Sequence, residues 1–381
     1  MSQTLLMVST ASQWLGPARM ARALAKADFT VALLAPADSL AAKSRFVATH
    51  RVLVANAIPM EWLNALISAI DDLAPRVLVP CDEMAIRLLF ALVQGPPRDL
   101  PAATRLRLAE LIEASLGDPA HYQVSIDKTL LPPAAETLGV RVPGYVLADG
   151  IDEAIAGAAT LGYPVVVKRR FGFAGEGVAI VAGPADLATH CQALLGPDQL
   201  DLGERLPARL LVQSFIRGAY HSQAFAAAQG QVLAAFGWDR HVATLLCKGQ
   251  TSVLRFVRSP ETLQFSETLC RAFEISGLCN VQFVLDGSGK AHLLEINRRI
   301  VTHMHMGDRV GADLAHALAR GLRGVLPARS DAQPQAADGP SIAIFPREWL
   351  RDPRSVYLRD CPADLPWDEP ELLRALLAMR H

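Results

Sequence analysis

One stretch of the sequence carries oxygen ligands at the spacing of a metal site. In a hairpin whose turn spans residues 287–290, Asp286 pairs with Ala291. Counting back from that pair places Gln282 across from Glu295, and Asn297 shares a face with Glu295 because it lies two residues further on. One carboxylate and two amide oxygens suit a hard cation such as Mg²⁺, whose other ligands would be water or phosphate oxygens. The pattern is also that of a half-exposed hairpin with a polar outer face.

A strand that ends in lysine precedes a glycine-rich segment. The strand is the apolar run up to Lys168, and Gly172, Gly175 and Gly177 follow it. Glycines let backbone N–H groups approach phosphate oxygens, and an adjacent ammonium balances the phosphate charge. The residue order of a P-loop is absent, so the segment is either another kind of phosphate-binding loop or a plain hairpin turn. Lysines are scarce among the 37 basic residues, and a lysine kept at the strand end favours the phosphate-binding loop.

The composition excludes several classes of partner. Of the 381 residues, 51% are hydrophobic and 20% are charged, as in ordinary globular proteins, and the length allows about two or three domains. A net charge of -1 gives no basic field for nucleic acid and no anchor for an anionic membrane. The first residues resemble a strand rather than a signal peptide, and no apolar run reaches the ~18 residues of a membrane span. We therefore expect a cytoplasmic protein whose partners are small molecules.

Strand and helix patterns alternate along most of the chain. Residues 5–9, 18–26 and 30–35 predict a strand, an amphipathic helix and a second strand, which together open a small Rossmann-like α/β domain with a parallel sheet. From residue 125 onward, further strands and helices predict an α+β region that continues to about residue 324. The segment 328–340 is rich in Ala, Asp, Gln and Pro, as linkers are, and a tail of one strand and one or two helices follows.

Several motifs, taken in order and spacing, resemble the ATP-grasp superfamily, in its carboxylate–amine ligase type. The motifs are Asp127-Lys128, Val167-Lys168 with its glycine-rich loop, residues 211–218, Val281-Gln282-Phe283, and Glu295-Ile296-Asn297-Arg298-Arg299. The resemblance covers residues 125–324. Gln282, where Asp or Glu is more usual, is similar to the carbamoyl-phosphate-synthetase-like subset. Arg298 replaces a proline frequent in the family and either reaches an anionic substrate or faces solvent.

The resemblance implies a Rossmann-like preATP-grasp domain followed by a two-subdomain ATP-grasp fold. The expected boundaries are 1–95 for the preATP-grasp domain, 96–124 for a helical linker, 125–212 for the first subdomain with the glycine-rich loop, 213–327 for the second subdomain with the metal site, 328–340 for a linker and 341–381 for a C-terminal extension.

The same resemblance implies a role for each nucleotide-binding residue. Lys128 and Lys168 hold the ATP phosphates, and the glycines of the loop close over them. Phe215 and Ile216 occupy the hinge whose backbone recognises adenine, and Gln213 just before them is also expected to bind the nucleotide. His221 stands at the position that usually holds a ribose-binding carboxylate. The chain departs from the family at Ser214, where an acidic residue is common, and at His221 itself.

The metal ligands and the catalytic arginine follow in the same way. Gln282, Glu295 and Asn297 match the family's ligands for one or two Mg²⁺ ions, with Mn²⁺ as a substitute. Arg299 matches the arginine that clamps the transferred phosphoryl group or the acyl phosphate. Such a site works by positioning and by neutralising charge while a substrate carboxylate attacks the γ-phosphorus.

The acceptor side rests on fewer residues. Lys248 and Arg255 lie where the family's large loop faces the acceptor pocket, and they either bind a substrate carboxylate or are solvated residues of a hairpin tip. His303 and His305 form a His-x-His pair. They either bind Zn²⁺ or line the acceptor pocket without metal, and the absence of a third ligand nearby in the sequence favours the second.

The resemblance leaves three classes of function open. The first is an ADP-forming ligase that joins a carboxylate to an amine, with amino acids as substrates and an acyl phosphate as intermediate. The second is a bicarbonate-activating carboxylase or carbamoyl-phosphate-type enzyme, and the third is a non-catalytic ATP-binding regulatory module. We expect the first. The resemblance is compatible with a homodimer, because family members are often dimers, but the sequence itself does not determine the oligomeric state.

Overall fold

A computed structural model describes residues 3–54, 57–172, 175, 177–195, 208–244, 250–325, 333–334 and 339–379. Within these ranges no helix combines the length and the apolar character needed to cross a membrane.

The strands and helices follow the predicted alternation. The strands are β1 Gln3–Val8, β2 Phe29–Pro36, β3 Thr49–Leu53, β4 Val77–Pro80, β5 Tyr145–Ala148, β6 Val165–Arg169, β7 Val178–Val181, β8 Leu210–Ser214, β9 Ala219–Ala228, β10 Gln231–Thr244, β11 Gln250–Phe256, β12 Gly277–Leu285, β13 Ala291–Asn297, β14 Gln333–Pro334 and β15 Ser341–Ala343. The helices are α1 Leu15–Lys26, α2 Pro59–Leu73, α3 Glu83–Gln94, α4 Ala102–Leu116, α5 Tyr122–Ile126, α6 Leu131–Thr137, α7 Ile151–Leu161, α8 Leu187–Leu194, α9 Pro260–Ala272, α10 Leu314–Leu322, α11 Arg347–Arg351, α12 Val356–Asp360 and α13 Pro370–Ala378.

The N-terminal strands form a parallel sheet in the order β3-β2-β1-β4. In β1, Leu5 pairs with Val31 of β2 and with Val77 of β4. All three side chains are at most 1% exposed, as expected for parallel strands that are covered on both faces. Each strand here is followed by a helix or a short 3₁₀ turn, because parallel neighbours need a crossover connection.

Two further sheets are largely antiparallel. One has the order β5-β8-β6-β7, and the other runs β13-β12-β9-β10-β11-β15, with β14 paired to β10. In the first of these, Lys168 of β6 pairs with Leu211 of β8 and Val178 of β7. Val165 and Val167 on the opposite face of β6 are fully buried with Val212 in a small core. Lys168 therefore alternates out of that core.

The chain divides into two compact units. Unit 1 comprises Met1–Pro119, Ser222–Asn280 and Asn297–His381, and unit 2 comprises Ala120–His221 and Val281–Ile296. The larger hydrophobic core, which includes Leu5, Phe236 and Phe256, belongs to unit 1.

The C-terminal tail differs from the prediction in its helix content. It forms the strand β15 and the three short helices α11, α12 and α13, where one or two helices were expected. One of the short helices is α12, a five-residue turn that begins at Val356 and is capped by Ser355, whose hydroxyl accepts the N–H of Tyr357. A helix this short depends on its cap rather than on an apolar periodicity, so the sequence pattern did not reveal it. The predicted linker 328–340 lies mostly outside the described residues.

Gly218, between β8 and β9, permits a close backbone approach in unit 2. A Cβ at this position would lie 1.9 Å from the carbonyl oxygen of Leu285. We expect Gly218→Ala to lower the free energy of unfolding by about 2 kcal/mol or more, since backbone rather than a flexible side chain must move. Urea denaturation measures the change. Gly287→Ala is the matched control because nothing lies within 4 Å of its Cβ position, and equal losses for both variants would contradict the prediction.

Candidate active site

Two lysines of unit 2 lie beside one carboxylate. Lys168 on β6 is 7% exposed, and Lys128, which follows α5, is 8% exposed. The Lys128 ammonium donates a hydrogen bond to the carbonyl oxygen of Gly172 (2.6 Å) and lies 3.8 Å from the Glu295 carboxylate. This cluster holds two potential positive charges against one negative charge, so it is suited to an anionic ligand.

Asp127 fixes the backbone that carries Lys128. Its carboxylate is fully buried and accepts hydrogen bonds from the Thr129 N–H (2.8 Å) and hydroxyl (2.7 Å). Arg170 donates to the same carboxylate at 2.8 Å, and the Lys128 N–H donates to the Arg170 carbonyl oxygen at 3.0 Å. These bonds tie the segment before α6 to the end of β6, so both lysines are held by one local network.

Burial lowers the pKa of Lys168 to about 8. The Glu295 carboxylate acts in the opposite direction, and the Lys128 ammonium adds to the lowering. Desolvation disfavours the charged form, which is the common cause of such a shift in a buried lysine. Lys168 is thus a group whose charge a phosphate would stabilise.

Lys168→Met should stabilise the free protein below pH 8. Between about pH 8 and pH 10.5, the ordinary pKa of a lysine, the unfolded protein binds more protons at Lys168 than the folded protein does, so wild-type stability rises with pH through that window. The variant has no such group, and its advantage of about 3 kcal/mol at pH 7 should shrink towards zero by pH 10.5. Urea denaturation at several pH values, with Lys290→Met as exposed control, measures it. A difference that stays constant with pH would contradict the assignment.

The three glycines of the loop adopt backbone conformations that suit glycine. The φ angles of Gly172, Gly175 and Gly177 are 146, 80 and 74 degrees. A Cβ on Gly177 would lie 2.5 Å from the Arg169 side chain, and the Arg169 N–H donates to the Gly177 carbonyl oxygen at 2.9 Å. The three glycines therefore connect β6 to β7 in backbone conformations that would be strained for other residue types. Phe173, Ala174 and Glu176 lie outside the described residues.

The predicted hinge residues lie at the end of β8 and beyond it. Gln213 is 2% exposed, and among the described residues its side-chain oxygen has no hydrogen-bond partner. Phe215 and Ile216 are partly buried, and the Phe215 N–H donates to the Pro164 carbonyl oxygen at 3.2 Å. His221 on β9 is 1% exposed. A buried amide oxygen without a partner calls for an additional donor, which a ligand could supply.

The hairpin between β12 and β13 is one residue shorter in its turn than predicted. The Asp286 N–H donates to the carbonyl oxygen of Lys290 (3.0 Å) rather than pairing Asp286 with Ala291. Gly289 has a φ of 82 degrees, and its N–H donates to the Asp286 carbonyl oxygen at 2.8 Å. This is a three-residue loop with a left-handed glycine, as in a type I turn with a bulge. The predicted pairing of Gln282 with Glu295 was based on a turn one residue too long, so its register was shifted by one residue.

Gln282 and Glu295 nevertheless both lie at partly exposed positions of unit 2. The strand neighbours of Gln282, Val281 and Phe283, are fully buried, so the Gln282 side chain is on the open face of β12. On β13 the alternation of burial breaks at Leu294 and Glu295, which are both partly exposed. Glu295 is brought to Lys128, as described above. Asn297, at the end of β13, is 5% exposed and belongs to unit 1.

Arg299 of unit 1 is buried between two residues of the N-terminal domain. It is 5% exposed, its Nε lies 3.3 Å from the Glu83 carboxylate, and its guanidinium lies 5.6 Å from the centre of the Trp14 ring. Arg298 is 2% exposed, donates to the Leu116 carbonyl oxygen and lies over the Phe90 ring. The solvent-facing interpretation of Arg298 is therefore wrong: its side chain is buried and connects the end of α4 to the segment after β13.

Of the two predicted acceptor-side residues, only Arg255 lies among the described residues. Arg255 is exposed on β11, where it pairs with Asp239, and Lys248 lies outside the described residues. His305 bonds to the Asp364 carboxylate (3.0 Å). In the described ranges no cluster of three or more His, Cys, Asp or Glu is arranged to hold a metal.

His303 is a buried imidazole of unit 1. It packs edge-on against Trp238, with ring centres 5.4 Å apart, and its Nε2 has no hydrogen-bond partner among the described residues. Burial, followed by the nearby charges of Arg347 and His305, holds the pKa of His303 well below its usual range. It is therefore neutral at pH 7.

Comparison with known families agrees with these motifs. The family described as carbamoyl-phosphate synthase L chain, ATP binding domain, matches residues 127–324, which is more than half of the chain. The chain belongs to this family. Membership in the carbamoyl-phosphate synthase L chain family confirms the ATP-grasp resemblance drawn from Lys128, Lys168, Gln282 and Glu295.

Relatives with known activities are longer than this chain. It is 29% identical over 234 residues to the carbamoyl phosphate synthase large chain of Clavibacter michiganensis subsp. michiganensis, covering 58% of this chain and 20% of that protein. It is 27% identical over 239 residues to the corresponding Xylella fastidiosa protein, covering 58% of this chain and 22% of that one. The chain thus spans about a fifth of the length of these relatives.

Solved structures of the ATP-grasp type share the fold. A biotin carboxylase complex from Campylobacter jejuni matches with a TM-score of 0.64 at 15% identity, over 87% of this chain and 73% of that chain. N5-carboxyaminoimidazole ribonucleotide synthetase from Thermotoga maritima matches with a TM-score of 0.55 at 16% identity, over 85% and 76%. These likenesses confirm the predicted fold class, a preATP-grasp domain followed by an ATP-grasp fold.

In this member of the carbamoyl-phosphate synthase L chain family, Glu83 and Trp14 contact Arg299, and the sequence patterns did not identify either residue. Both lie in the N-terminal domain, far along the chain from the motifs they contact. One signal was available for Glu83: it directly follows Asp82 at the carboxyl end of β4, and carboxyl ends of parallel strands are where α/β sheets place functional residues. Trp14 has no comparable signal.

Proposed function

We propose that the chain binds Mg²⁺–ATP and uses it to activate a small carboxylate for attack by an amine, with amino acids as substrates. The observation that carries the proposal is the cluster of Lys128, Lys168 and Glu295 in unit 2. Two buried ammonium groups beside one carboxylate suit the phosphates and the divalent cation of a nucleotide. No serine, cysteine or histidine nucleophile is needed, since the work is positioning and charge neutralisation.

The adenine end of the nucleotide is assigned to the hinge. The side-chain oxygen of Gln213, which has no hydrogen-bond partner within the described ranges, can accept a hydrogen bond from the exocyclic amino group of adenine. The backbone of Phe215 and Ile216 offers the donor and acceptor for the ring edge. His221 takes the ribose side, where its imidazole provides hydrogen bonding without the usual negative charge.

The phosphate end is assigned to the lysines, the glycine loop and the metal ligands. Lys128 and Lys168 bind phosphate oxygens, and the backbone of Gly172, Gly175 and Gly177 covers them. Glu295, Gln282 and Asn297 would hold one or two Mg²⁺ ions. Such a cation supplies charge neutralisation between phosphate oxygens.

The reaction follows from these assignments. A carboxylate oxygen of the substrate attacks the γ-phosphorus, the bond to the β-γ bridging oxygen breaks, and ADP leaves with an acyl phosphate formed. The amine nitrogen then attacks the acyl carbon, phosphate leaves, and the amine loses a proton to give an amide. Arg299 stabilises the charge on the transferred phosphoryl group. Lys248 and Arg255 would orient the carboxylate of an amino-acid substrate.

Bicarbonate is the second candidate for the activated carboxylate. The family is named after carbamoyl-phosphate synthase, and the structure of the 2-oxoglutarate carboxylase domain from Hydrogenobacter thermophilus, a fold relative, is described as a dimer with MgADP, ADP and bicarbonate. The chemistry at the γ-phosphorus would be the same, since bicarbonate also attacks through oxygen. A homodimer is proposed for this chain on the same basis.

ADP release from purified protein tests the proposal. Mg²⁺–ATP is incubated with pools of small carboxylic acids and amino acids, and separately with bicarbonate. Release that needs both an acid and an amine supports the ligase, whereas release that needs bicarbonate supports the second candidate. ATP binding without turnover in any pool would overturn both and leave a regulatory module.

A further inference from the structure

The N-terminal domain supplies the immediate surroundings of Arg299. Glu83 is the first residue of α3, and its carboxylate lies 3.3 Å from the Arg299 Nε. Trp14 precedes α1 and presents its ring 5.6 Å from the guanidinium. The side chains of Arg299 and Glu83 are 6% and 12% exposed, so this ion pair is shielded from water. A shielded pair restricts a long, flexible side chain more firmly than a surface pair.

Asp82 anchors the two elements that carry Glu83 and Trp14. Its carboxylate accepts the N–H of Ala85 at 2.9 Å and so caps α3. It also accepts the Ser9 hydroxyl at 2.8 Å and the Thr10 N–H at 2.6 Å, in the loop that leads from β1 to Trp14. One buried carboxylate, 5% exposed, therefore fixes the helix start and the loop together.

We propose that Glu83 is a positioning residue for Arg299 and that Trp14 packs against the same guanidinium, so that the N-terminal domain takes part in phosphoryl transfer. This inference rests on the proposed function of Arg299 as the phosphoryl clamp. Glu83 accepts from Nε at 3.3 Å and the Ile300 carbonyl oxygen accepts from Nη1 at 3.4 Å, so the guanidinium plane is held at two of its nitrogens. Preorganised donors stabilise developing charge without reorganising during the reaction.

Substitution of Glu83 should therefore affect turnover more than binding. Glu83→Gln is expected to lower kcat about tenfold while the KM for ATP changes less than about threefold, because Arg299 is retained but no longer oriented. Glu83→Asp keeps the charge and should recover part of the loss. In a Glu83→Gln variant combined with Arg299→Lys, turnover should fall no further than with Arg299→Lys alone, since Glu83 acts through Arg299.

Chemical modification gives a readout that does not depend on turnover. Phenylglyoxal reacts with accessible arginines. The folded full-length protein is modified, and mass spectrometry of its peptides then gives the rate of modification at Arg299. Glu83→Gln should raise that rate at least about threefold, because the guanidinium is released from its partner. Asp72→Asn is the matched control: it removes the exposed ion pair with Arg51 (2.8 Å) and should leave the Arg299 rate unchanged.

The two readouts separate the two hypotheses. Faster phenylglyoxal modification of Arg299 in Glu83→Gln, together with no ATP turnover by the wild-type protein, would support the positioning of Arg299 by Glu83 and overturn the proposed function. An unchanged rate at Arg299 with an unchanged kcat would overturn the positioning role whatever the protein catalyses. Strictly additive effects of Glu83→Gln and Arg299→Lys would also overturn it.

Discussion

Lys168→Ala should lower ATP turnover at least about a hundredfold, the range expected when a buried charged group that stabilises transferred phosphate is removed. The lysine is 7% exposed and its pKa is lowered to about 8 by burial, so bound phosphate would restore its full charge. Lys168→Arg should not recover activity, because a planar guanidinium does not fit a site built around a point charge. Coupled ADP release measures the effect.

Lys290→Ala is the control for this prediction. Lys290 is exposed in the loop between β12 and β13, so its loss removes a lysine without touching the cluster. Circular dichroism and urea denaturation show whether each variant is folded. Turnover of the Lys168→Ala protein within about threefold of wild type would show that Lys168 does not bind phosphate.

Glu295→Gln should remove the saturable Mg²⁺ dependence of turnover and reduce the rate about a hundredfold or more. The substitution keeps the shape of the side chain but takes away the only carboxylate among the three proposed ligands, and hard cations bind a neutral amide more weakly. The measurement is ADP release over a titration of MgCl₂ at fixed free ATP.

The same substitution should change the response to pH. Glu295 raises the pKa of Lys168, so its removal should lower that pKa further below about 8. Any loss of ATP binding on the alkaline side, caused by deprotonation of Lys168, should then begin at lower pH. Glu110→Gln, at an exposed position of α4, is the control and should behave as wild type. A Glu295→Gln protein with unchanged Mg²⁺ dependence would exclude Glu295 as a metal ligand.

The parts of the site that could be predicted depend on local patterns. Lys168 was identifiable because an apolar strand ends beside glycines, and the structure shows those glycines with the positive φ angles that make other residues unfavourable. The alternation of strand and helix patterns predicted α/β and α+β regions in the same local way. The ATP-grasp arrangement was implied instead by the resemblance of several ordered motifs between residues 125 and 324.

The parts that failed depend on details that local patterns do not contain. A single left-handed glycine, Gly289, makes the turn one residue shorter than predicted and so changes the residue that pairs with Gln282. A solvent-facing Arg298 was compatible with the sequence, but its partners Leu116 and Phe90 come from distant helices. The pairing of Glu83 with Arg299 joins residues more than two hundred positions apart, and a single sequence carries no record of such contacts.

Transfer of ¹⁸O from the substrate carboxylate to phosphate tests the central proposal most directly. The acid that supports ADP release is labelled in both carboxylate oxygens and incubated with Mg²⁺–ATP, the amine and the protein, and the released phosphate is analysed by mass spectrometry. Attack on the γ-phosphorus through a carboxylate oxygen predicts one ¹⁸O atom in each phosphate released, because the acyl phosphate breaks between carbon and oxygen. Phosphate without label, released at the same rate as amide, would contradict the acyl-phosphate mechanism.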